Sequence, residues 1–312
     1  MDLLRELRSR IDGMTAHPRV DAARAAIRHI EIAEKHLRLG ADDPEYFNDV
    51  VYRTNQAFEG MLKEAYTVLA DSDGSKLSTH HIEQLFAKEG TLAPRVQTLF
   101  TNYRQQWRNP STHDHTLLLS RQEALLAIVS VSAFALVLFD QMVEAISFHA
   151  ERSAIAEMRG QLKEKLGEAT KGTLAEQVVQ MLGLFGAQHE TSIIDAELVG
   201  RVSGFLVGTN PEIQTLALTG GADAYGDILV TKGAEQVLVE IKRARDARTV
   251  ERGGVSQLLK GLVVGDVPAG VLYLISTGTQ GTPDARHEAL SGKEIWVVKA
   301  FLAKSPGNAA KK

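Results

Sequence analysis

The segments Asp227-Ile-Leu-Val230 and Val237-Leu-Val-Glu-Ile-Lys242 decide the fold of the second half of this 312-residue chain. Both are apolar runs of strand length, and the polar turn between them predicts a β-hairpin. Because side chains alternate between the two faces of a strand, Glu240 and Lys242 project to the same side. The hairpin therefore carries two carboxylates, from Asp227 and Glu240, close to one ammonium group.

This set of charges is typical of a site for phosphate chemistry. Carboxylate oxygens are the ligands that Mg²⁺ and Mn²⁺ prefer, and a cation held by one or two of them can bind a phosphate and activate a water. We expect Asp227 and Glu240 to be metal ligands. Lys242 would position the water or stabilise the charge that develops on phosphorus. The alternative is a salt-bridge ladder on the surface of two strands.

Further β-type runs surround this hairpin. They lie at Thr191–Leu198, Ile213–Leu218, Gly270–Ser276 and Glu294–Ala300, with helical patterns at Leu174–Phe185 and Val255–Val264. Helices that flank a mixed sheet predict an α/β domain over residues 172–304. Residues 305–312 are predicted to form a flexible tail.

The first half of the chain, residues 1–166, is predicted to be a helical bundle. Its strongest helical patterns are Arg19–Leu39, Pro44–Ala70, Pro94–Trp107 and Arg121–Phe148, the last preceded by the capping-box pattern Ser120-Arg-Gln-Glu123. Ala124–Phe139 is apolar nearly all round but shorter than the ~20 residues that cross a bilayer. We therefore expect this segment at the centre of the bundle or in a dimer interface.

Composition narrows the classes of protein. A hydrophobic content of 44% and a charged content of 24% are ordinary for a soluble globular chain, whose length fits two domains. The absence of cysteine excludes disulfides, thiolate nucleophiles and cysteine-ligated zinc. The first residues lack the apolar core of a signal peptide, so we expect a cytoplasmic protein without a membrane partner.

The net charge of −4 indicates that any surface for nucleic acid must be local. A basic run does follow the hairpin, at Lys242, Arg243, Arg245, Arg248 and Arg252. Its alternative interpretation is a solvated basic loop.

The order of charged residues in the second half resembles the PD-(D/E)XK nuclease superfamily, the restriction-endonuclease-like fold. Asp227 is followed by Glu240-Ile-Lys242, and the loop that begins at Gly220 and the strand that begins at Gly270 resemble the Mrr-type branch. The resemblance covers roughly residues 172–300. It implies hydrolysis of DNA with Mg²⁺ or Mn²⁺, with Asp227, Glu240 and Lys242 as catalytic residues. Asp223 competes with Asp227 for the position of the acid.

Two supporting residues follow from the same resemblance. In that superfamily a helix before the sheet often supplies a glutamate, and Mrr-type sequences carry a glutamine after the Glu-x-Lys motif. These positions correspond to Glu176 and Gln257. Either residue could instead be an ordinary polar residue on an amphipathic helix.

The segment Arg108-Asn-Pro-Ser-Thr-His113 resembles the Arg-Asn-x-x-x-His signature of HEPN domains, helical bundles that commonly act as metal-independent ribonucleases. The resemblance covers roughly residues 20–148. It implies that Arg108 holds the scissile phosphate, that Asn109 orients the site, and that His113 exchanges a proton with a ribose 2′-hydroxyl or a leaving oxygen. It also implies a homodimer, because such sites are generally built from two copies, and no metal.

Local chemistry adds one expectation and one alternative at this segment. Pro110 predicts an extended Asn109 and a connector in place of a continuing helix. Alternatively, Arg108 and Asn109 cap the end of a helix, and His113 is an ordinary loop residue.

Together the two resemblances imply a prokaryotic defence-type nuclease, with an RNA-cleaving helical domain fused to a DNA-cleaving α/β domain. The contrasting hypothesis is a non-catalytic, dimeric protein that binds nucleic acid or regulates a partner while retaining nuclease-like folds.

Overall fold

The computed structural model describes residues 2–12, 14, 17–92, 94–113, 116–158, 167, 169–188, 194–218, 226–244, 247–276 and 284–301. The chain divides into two compact units, Met1–Ile146 and Ser147–Lys312. This division falls inside a helix, earlier in the sequence than the boundary expected at residues 167–172. The predicted tail, residues 305–312, lies outside the described residues.

The first unit is helical, as its periodicity predicts. Its described helices are α1 (Leu3–Asp12), α2 (Val20–Leu39), α3 (Tyr46–Leu69), α4 (Thr79–Glu89), α5 (Pro94–Tyr103), α6 (Asn109–His113) and the first part of α7 (Arg121–Met158), with a π-helical turn at Arg104–Arg108 between α5 and α6. Rings from three helices meet in its core. Phe58 lies 4.8 Å from Phe100 and 5.5 Å from Phe134, measured between ring centroids.

Helix α7 begins where the capping box predicts. The backbone N–H of Ser120 donates to Glu123 Oε2 at 2.8 Å, and the N–H of Glu123 donates to Ser120 Oγ at 3.3 Å.

Within the described part of the chain, α7 alone is long and apolar enough to cross a membrane, and 56% of its most apolar window is buried in the structure. Because the core helix of a bundle has the same properties, this is weak evidence for a membrane span.

The second unit is an α/β domain with a mixed sheet, as predicted. Its described helices after α7 are α8 (Leu174–Gln188), α9 (Asp195–Thr209) and α10 (Ala247–Val264), and its strands are β1 (Gln214–Ala217), β2 (Ile228–Lys232), β3 (Glu235–Ala244), β4 (Ala269–Ser276), β5 (Asp284–Leu290) and β6 (Lys293–Phe301). The described strands form a six-stranded sheet in the order β1-β2-β3-β4-β6-β5. The β3–β4 and β4–β6 pairs are parallel, and the other pairs are antiparallel.

The two faces of this sheet pack against different helices. Val237 and Val239 of β3 belong to the core formed with α8 and α9, whereas Leu238 belongs to the core formed with α10. Since side chains alternate along a strand, Glu240 and Lys242 lie on the same face as Leu238. We refer to this side as the α10 face.

The strand predicted at Thr191–Leu198 is wrong for residues 195–198, which form the first turn of α9; residues 191–193 lie outside the described residues. Asp195 and Glu197 suit this turn because carboxylates stabilise a helix N-terminus. Gly204, further along α9, allows close packing. A Cβ atom there would overlap the carbonyl oxygen of Phe148 in α7.

We expect Gly204→Ala and Gly183→Ala to change stability in opposite directions. The added methyl group at Gly204 meets backbone atoms that cannot turn away, so the free energy of unfolding should fall by about 1–3 kcal/mol. Around Gly183, inside α8, no described atom lies within 4 Å of the added Cβ, and alanine should raise this free energy by about 0.5–1 kcal/mol. Urea unfolding of both variants measures the two signs, and a neutral Gly204→Ala would contradict the packing of α9.

Candidate active sites

Asp227 immediately precedes β2 and lies beside β3. Its backbone N–H donates to the carbonyl oxygen of Val239 at 2.8 Å, and its Oδ2 accepts from the N–H of Ile241 at 2.6 Å. The carboxylate thus satisfies a backbone donor at the point where β2 begins. Because the two contacts fall on the residues before and after Glu240, they hold Asp227 next to Glu240.

Glu240 is a carboxylate in the core of the domain. Its exposed fraction is 0%, and its Oε1 forms an ion pair with Lys242 Nζ. Its Oε2 meets no hydrogen-bond donor among the described residues. An ionised carboxylate buried in this way is costly unless a cation or donors compensate. A buried carboxylate oxygen without a donor therefore requires an explanation. One explanation is that the oxygen binds an ion.

The electrostatics of the two carboxylates are consistent with this arrangement. Burial raises the pKa of Glu240, and the charge of Asp227 raises it further, while Lys242 opposes both effects. Burial also raises the pKa of Asp227, whereas the N–H of Ile241 and the ammonium of Lys242 lower it. Each carboxylate would be easier to ionise if a further cation lay beside it.

Asp195 is a third carboxylate near this site, and sequence reasoning missed it. It lies in the first turn of α9 and pairs with Arg243, and its charge contributes to the raised pKa of Asp227. The sequence signal was present, since an acidic residue in a first helical turn is favourable. It was overlooked because the surrounding residues were interpreted as a strand.

The structure does not bring Glu176 to the site. Glu176 Oε2 accepts from the N–H of Thr173 at 2.8 Å and from its hydroxyl at 3.1 Å, which is a capping box for α8. Helix α8 packs on the face of the sheet opposite Glu240. Glu176 therefore has a structural role at a helix terminus.

Gln257 and Asp223 remain predictions from the sequence. Gln257 is exposed on α10, whereas Gly254 and Leu258 of the same helix are buried. Asp223, the competing acid, lies outside the described residues.

Asp227 and Glu240 fit a Mg²⁺ or Mn²⁺ ion. Within the described ranges, no group of three or more His, Cys, Asp or Glu residues could hold a metal by itself. Mg²⁺, however, commonly uses one or two carboxylates and takes its remaining ligands from water and substrate phosphates. The unpartnered Oε2 of Glu240 and the adjacent carboxylate of Asp227 supply such a pair.

Glu240→Gln should stabilise the protein near neutral pH. Folding raises the pKa of the Glu240 carboxyl group. The stabilisation linked to such a group is complete below its pKa in the unfolded chain, and it is lost as the pH rises through its pKa in the folded protein. Glutamine does not ionise, so the variant keeps this stabilisation at neutral pH. We therefore expect its melting temperature at pH 7 to exceed that of wild type by about 2–4 °C. The difference should vanish near pH 4. Melting curves from pH 4 to 8 without divalent ions measure it, and a lower melting temperature for the variant at pH 7 would contradict it.

In the first unit, Arg108 and Asn109 lie where the π-helical turn meets α6. Asn109 has φ −68° and ψ −48°, so it is helical, and the prediction of an extended Asn109 is wrong. The helical run continues from the π-helical turn into α6 without a gap, so the predicted connector is wrong as well. The N–H of Asn109 donates to the carbonyl oxygen of Arg104, five residues earlier, and this wider turn directly precedes Pro110, which has no N–H to donate. Single π-turns inside α-helices frequently occur at functional sites.

Helix α3 holds this segment in place through two residues that sequence reasoning missed. Asn55 Nδ2 donates to Ser111 Oγ at 2.8 Å. Glu59 Oε1 accepts from Arg108 Nε at 3.2 Å and from Nη2 at 3.1 Å. Their spacing of four residues, which places both on one face of α3, was the signal available in the sequence.

The structure brings Arg108 and Asn109 together, since Arg108 Nη1 donates to Asn109 Oδ1 at 3.3 Å. His113 is the last residue of α6, and its side chain lies outside the described part of the structure. The relation of His113 to Arg108 therefore remains a prediction from the sequence.

Comparison with known proteins found no family model and no curated protein that matches this sequence. The functional argument therefore depends on the residues and geometry of the two sites.

Proposed function

We propose that this protein is a two-domain nuclease of the prokaryotic defence type. The second unit would hydrolyse phosphodiester bonds of DNA with Mg²⁺ or Mn²⁺ at Asp227, Glu240 and Lys242, as the resemblance to PD-(D/E)XK nucleases implies. The observation that carries this proposal is the buried carboxylate of Glu240, which has Lys242 on one oxygen and no described donor on the other.

Each of the three residues has a distinct part in this reaction. Asp227 and Glu240 would hold the cation, and the N–H of Ile241 fixes the orientation of Asp227. A bound Mg²⁺ supplies Lewis acidity towards the phosphate and lowers the pKa of water. Lys242, whose side chain is 32% exposed, would approach the phosphate from solvent and stabilise the negative charge that develops on it.

The burial of Glu240 argues against the alternative of a surface salt-bridge ladder. Exposed ion pairs between strands contribute little to stability, and both partners remain solvated. Burying an anion in a core costs desolvation free energy. Folded proteins tolerate this cost at sites where the charge is needed for function.

We assign a second activity, metal-independent cleavage of RNA, to Arg108, Asn109 and His113 in the first unit. The π-turn and the contacts from Asn55 and Glu59, which fix a helical segment that carries an arginine, support this assignment. Arg108 would bind the scissile phosphate through its planar fork, and His113 would exchange the proton of the 2′-hydroxyl or of the leaving oxygen.

The proposed partners are DNA, RNA and a second copy of the chain. On α7, Leu125, Leu126 and Val129 are 42%, 55% and 44% exposed, whereas their apolar neighbours Ala124, Ala127 and Ile128 are buried. Exposed apolar residues that cluster on one helix mark a protein contact. This face follows the Arg108–His113 segment closely in sequence, as a homodimeric ribonuclease of the HEPN type requires.

One experiment tests both activities and the dimer. Purified protein is separated by size-exclusion chromatography with light scattering, and each fraction is incubated with plasmid DNA or labelled RNA, in Mg²⁺ or in EDTA. We expect DNA to be cut only with Mg²⁺, and RNA to be cut in EDTA by the dimer fraction. Binding without cleavage of either substrate would favour the non-catalytic regulator, and an active monomer alone would contradict the dimer.

A further inference from the structure

Tyr52 is an exposed aromatic residue on α3, the helix that holds the Arg108 segment. Its exposed fraction is 56%, and among the described residues it is the only phenylalanine, tyrosine or tryptophan that is more than half exposed. A single apolar side chain on a surface needs no explanation by itself. The position of this ring on α3 is what indicates a role.

The chain that follows Arg108 runs antiparallel to α3. Arg108 pairs with Glu59, and Ser111, three residues later, accepts a hydrogen bond from Asn55. Asn55 is four residues nearer the start of α3 than Glu59, which is about one helical turn. The segment therefore advances along α3 towards its N-terminus.

Asn48, two turns nearer the start of α3 than Asn55, binds the end of this segment. Its Nδ2 donates to the carbonyl oxygen of Leu117 at 2.9 Å, and its Oδ1 accepts from the N–H of Leu119 at 3.1 Å. Tyr52 is four residues after Asn48 and three before Asn55, a spacing that places all three on one face of the helix. Tyr52 therefore lies between two points at which α3 binds the segment that carries the candidate ribonuclease residues.

The surroundings of the ring suit a nucleobase. The guanidinium carbon of Arg53 lies over the Tyr52 ring, 5.7 Å from its centroid. Asp49 precedes Arg53 by one turn, and Glu59 occupies Arg108, so these four charges sum to zero. Attraction here must come from stacking, which every base offers through its π-face irrespective of charge.

We propose that Tyr52 is a stacking platform for an unpaired base of the RNA whose scissile phosphate is held by Arg108. The inference rests on the proposed RNA cleavage by Arg108, Asn109 and His113. Glu59, the partner of Arg108, is seven residues from Tyr52, or about 10 Å along α3. At ~3.4 Å per stacked nucleotide, this separation corresponds to about three nucleotides. Single-stranded RNA fits such a site because its unstacked bases are free to lie on an aromatic ring.

The test measures RNA binding without cleavage. Two fluorescent 12-nucleotide probes are titrated in EDTA: a single strand with 2′-O-methyl sugars, which lacks the 2′-hydroxyl needed for cleavage, and an abasic sugar–phosphate chain of the same length. Wild type is compared with Tyr52→Ala and with the control Leu99→Ala, which removes an apolar side chain of α5 that is 58% exposed.

Tyr52→Ala should raise Kd for the base-bearing strand by about 5–150-fold, the range for losing one stacked base, and leave Kd for the abasic chain unchanged. Leu99→Ala should bind both probes like wild type. Tyr52→Trp, which keeps a ring, should also bind like wild type. With cleavable RNA, Tyr52→Ala should raise KM and leave kcat near that of wild type.

The outcomes separate this inference from the proposed function. If Tyr52→Ala binds the base-bearing strand like Leu99→Ala, or weakens both probes equally, the stacking platform is refuted and RNA cleavage is not affected. If light scattering shows that Tyr52→Ala converts a dimer into monomers, the ring is a contact between copies and stacking is refuted. If wild type prefers the base-bearing strand but cuts no RNA, stacking stands and RNA cleavage is refuted. If wild type binds neither probe, both are refuted.

A second variant covers loss of folding. If Tyr52→Ala unfolds, Tyr52→Leu keeps the apolar bulk without the ring, and it should show the same selective loss for the base-bearing strand. Binding of that strand by Tyr52→Leu as tightly as by wild type would overturn the inference.

Discussion

Lys242→Ala should lower the Mg²⁺-dependent cleavage of plasmid DNA by about 10²–10³-fold, the usual cost of removing one preorganised group that stabilises developing charge. Lys242 Nζ pairs with Glu240, and Lys242 lies on the α10 face beside the carboxylates proposed to hold the cation. In the proposed reaction, its ammonium group would stabilise the negative charge that forms on phosphorus. Initial rates of plasmid nicking at saturating Mg²⁺ measure the loss.

A matched lysine controls for charge alone. Lys232 lies on the same hairpin, at the far end of β2, and pairs with Glu212 at 3.0 Å. We expect Lys232→Ala to cleave DNA at the wild-type rate. If both variants lost activity equally, a general electrostatic effect would explain the result and the assignment of Lys242 would be wrong.

The conservative variant separates chemistry from stability. Lys242→Arg keeps a positive charge beside Glu240, so its folding should match that of wild type. The planar guanidinium cannot reproduce the compact ammonium at the phosphate, so activity should be only partly restored. Equal activity of the Arg and Ala variants would indicate that this position requires an ammonium group and not a charge.

The central hairpin could be predicted from the sequence because its signals are local. Apolar residues of strand length on both sides of a glycine-containing turn specify β2 and β3, and alternation along β3 places Glu240 and Lys242 together. The burial of Glu240 could not be read in this way. It depends on α10, which packs on the sheet from a segment later in the chain.

Strand β5 and helix α9 were missed for physical reasons. Strand β5 has mostly exposed side chains on both faces, so its sequence lacks the alternation that marks a half-buried strand. It is defined by its pairing with β6 at the edge of the sheet. Helix α9 contains Gly204, which lowers helix propensity, and its place is decided by close packing on α7.

Glu176 shows how a resemblance can override a local signal. Thr173-Leu-Ala-Glu176 is itself a capping-box pattern, and that pattern alone predicts the hydrogen bonds that the structure contains. Asp195 is the acidic helix residue that acts on Asp227, although its position could be recognised only after α9 was known to be a helix. Local capping rules were here the more reliable guide.

His113→Ala should lower metal-independent RNA cleavage by about 10²–10⁴-fold, the range for losing a catalytic acid or base, and Arg108→Ala should lower it by about 10²–10³-fold, the range for losing one group that stabilises developing charge. Arg108 would no longer hold the scissile phosphate, and His113 would no longer exchange its proton. Cleavage of a labelled RNA in EDTA measures both effects. DNA cleavage in Mg²⁺ should be unchanged in these variants, because Asp227, Glu240 and Lys242 belong to the second unit.

Arg104→Ala provides the matched control. Arg104 occupies the same π-helical turn and its Nε donates to Glu83 Oε2 at 2.7 Å, so it is also an arginine paired with a glutamate. We expect this variant to cleave RNA like wild type. An RNA activity that depended equally on Arg104 and Arg108 would indicate a diffuse basic surface in place of a catalytic arginine.

Glu59 refines the argument, because the guanidinium of Arg108 is already occupied by this carboxylate. A phosphate must compete with Glu59 for the same donors. Glu59→Gln keeps an oxygen that can orient Arg108 but removes the competing charge, so we expect a lower KM for RNA with kcat near that of wild type. If kcat instead fell with KM unchanged, the charge of Glu59 would be required in the reaction itself, and Arg108 would act only as its partner.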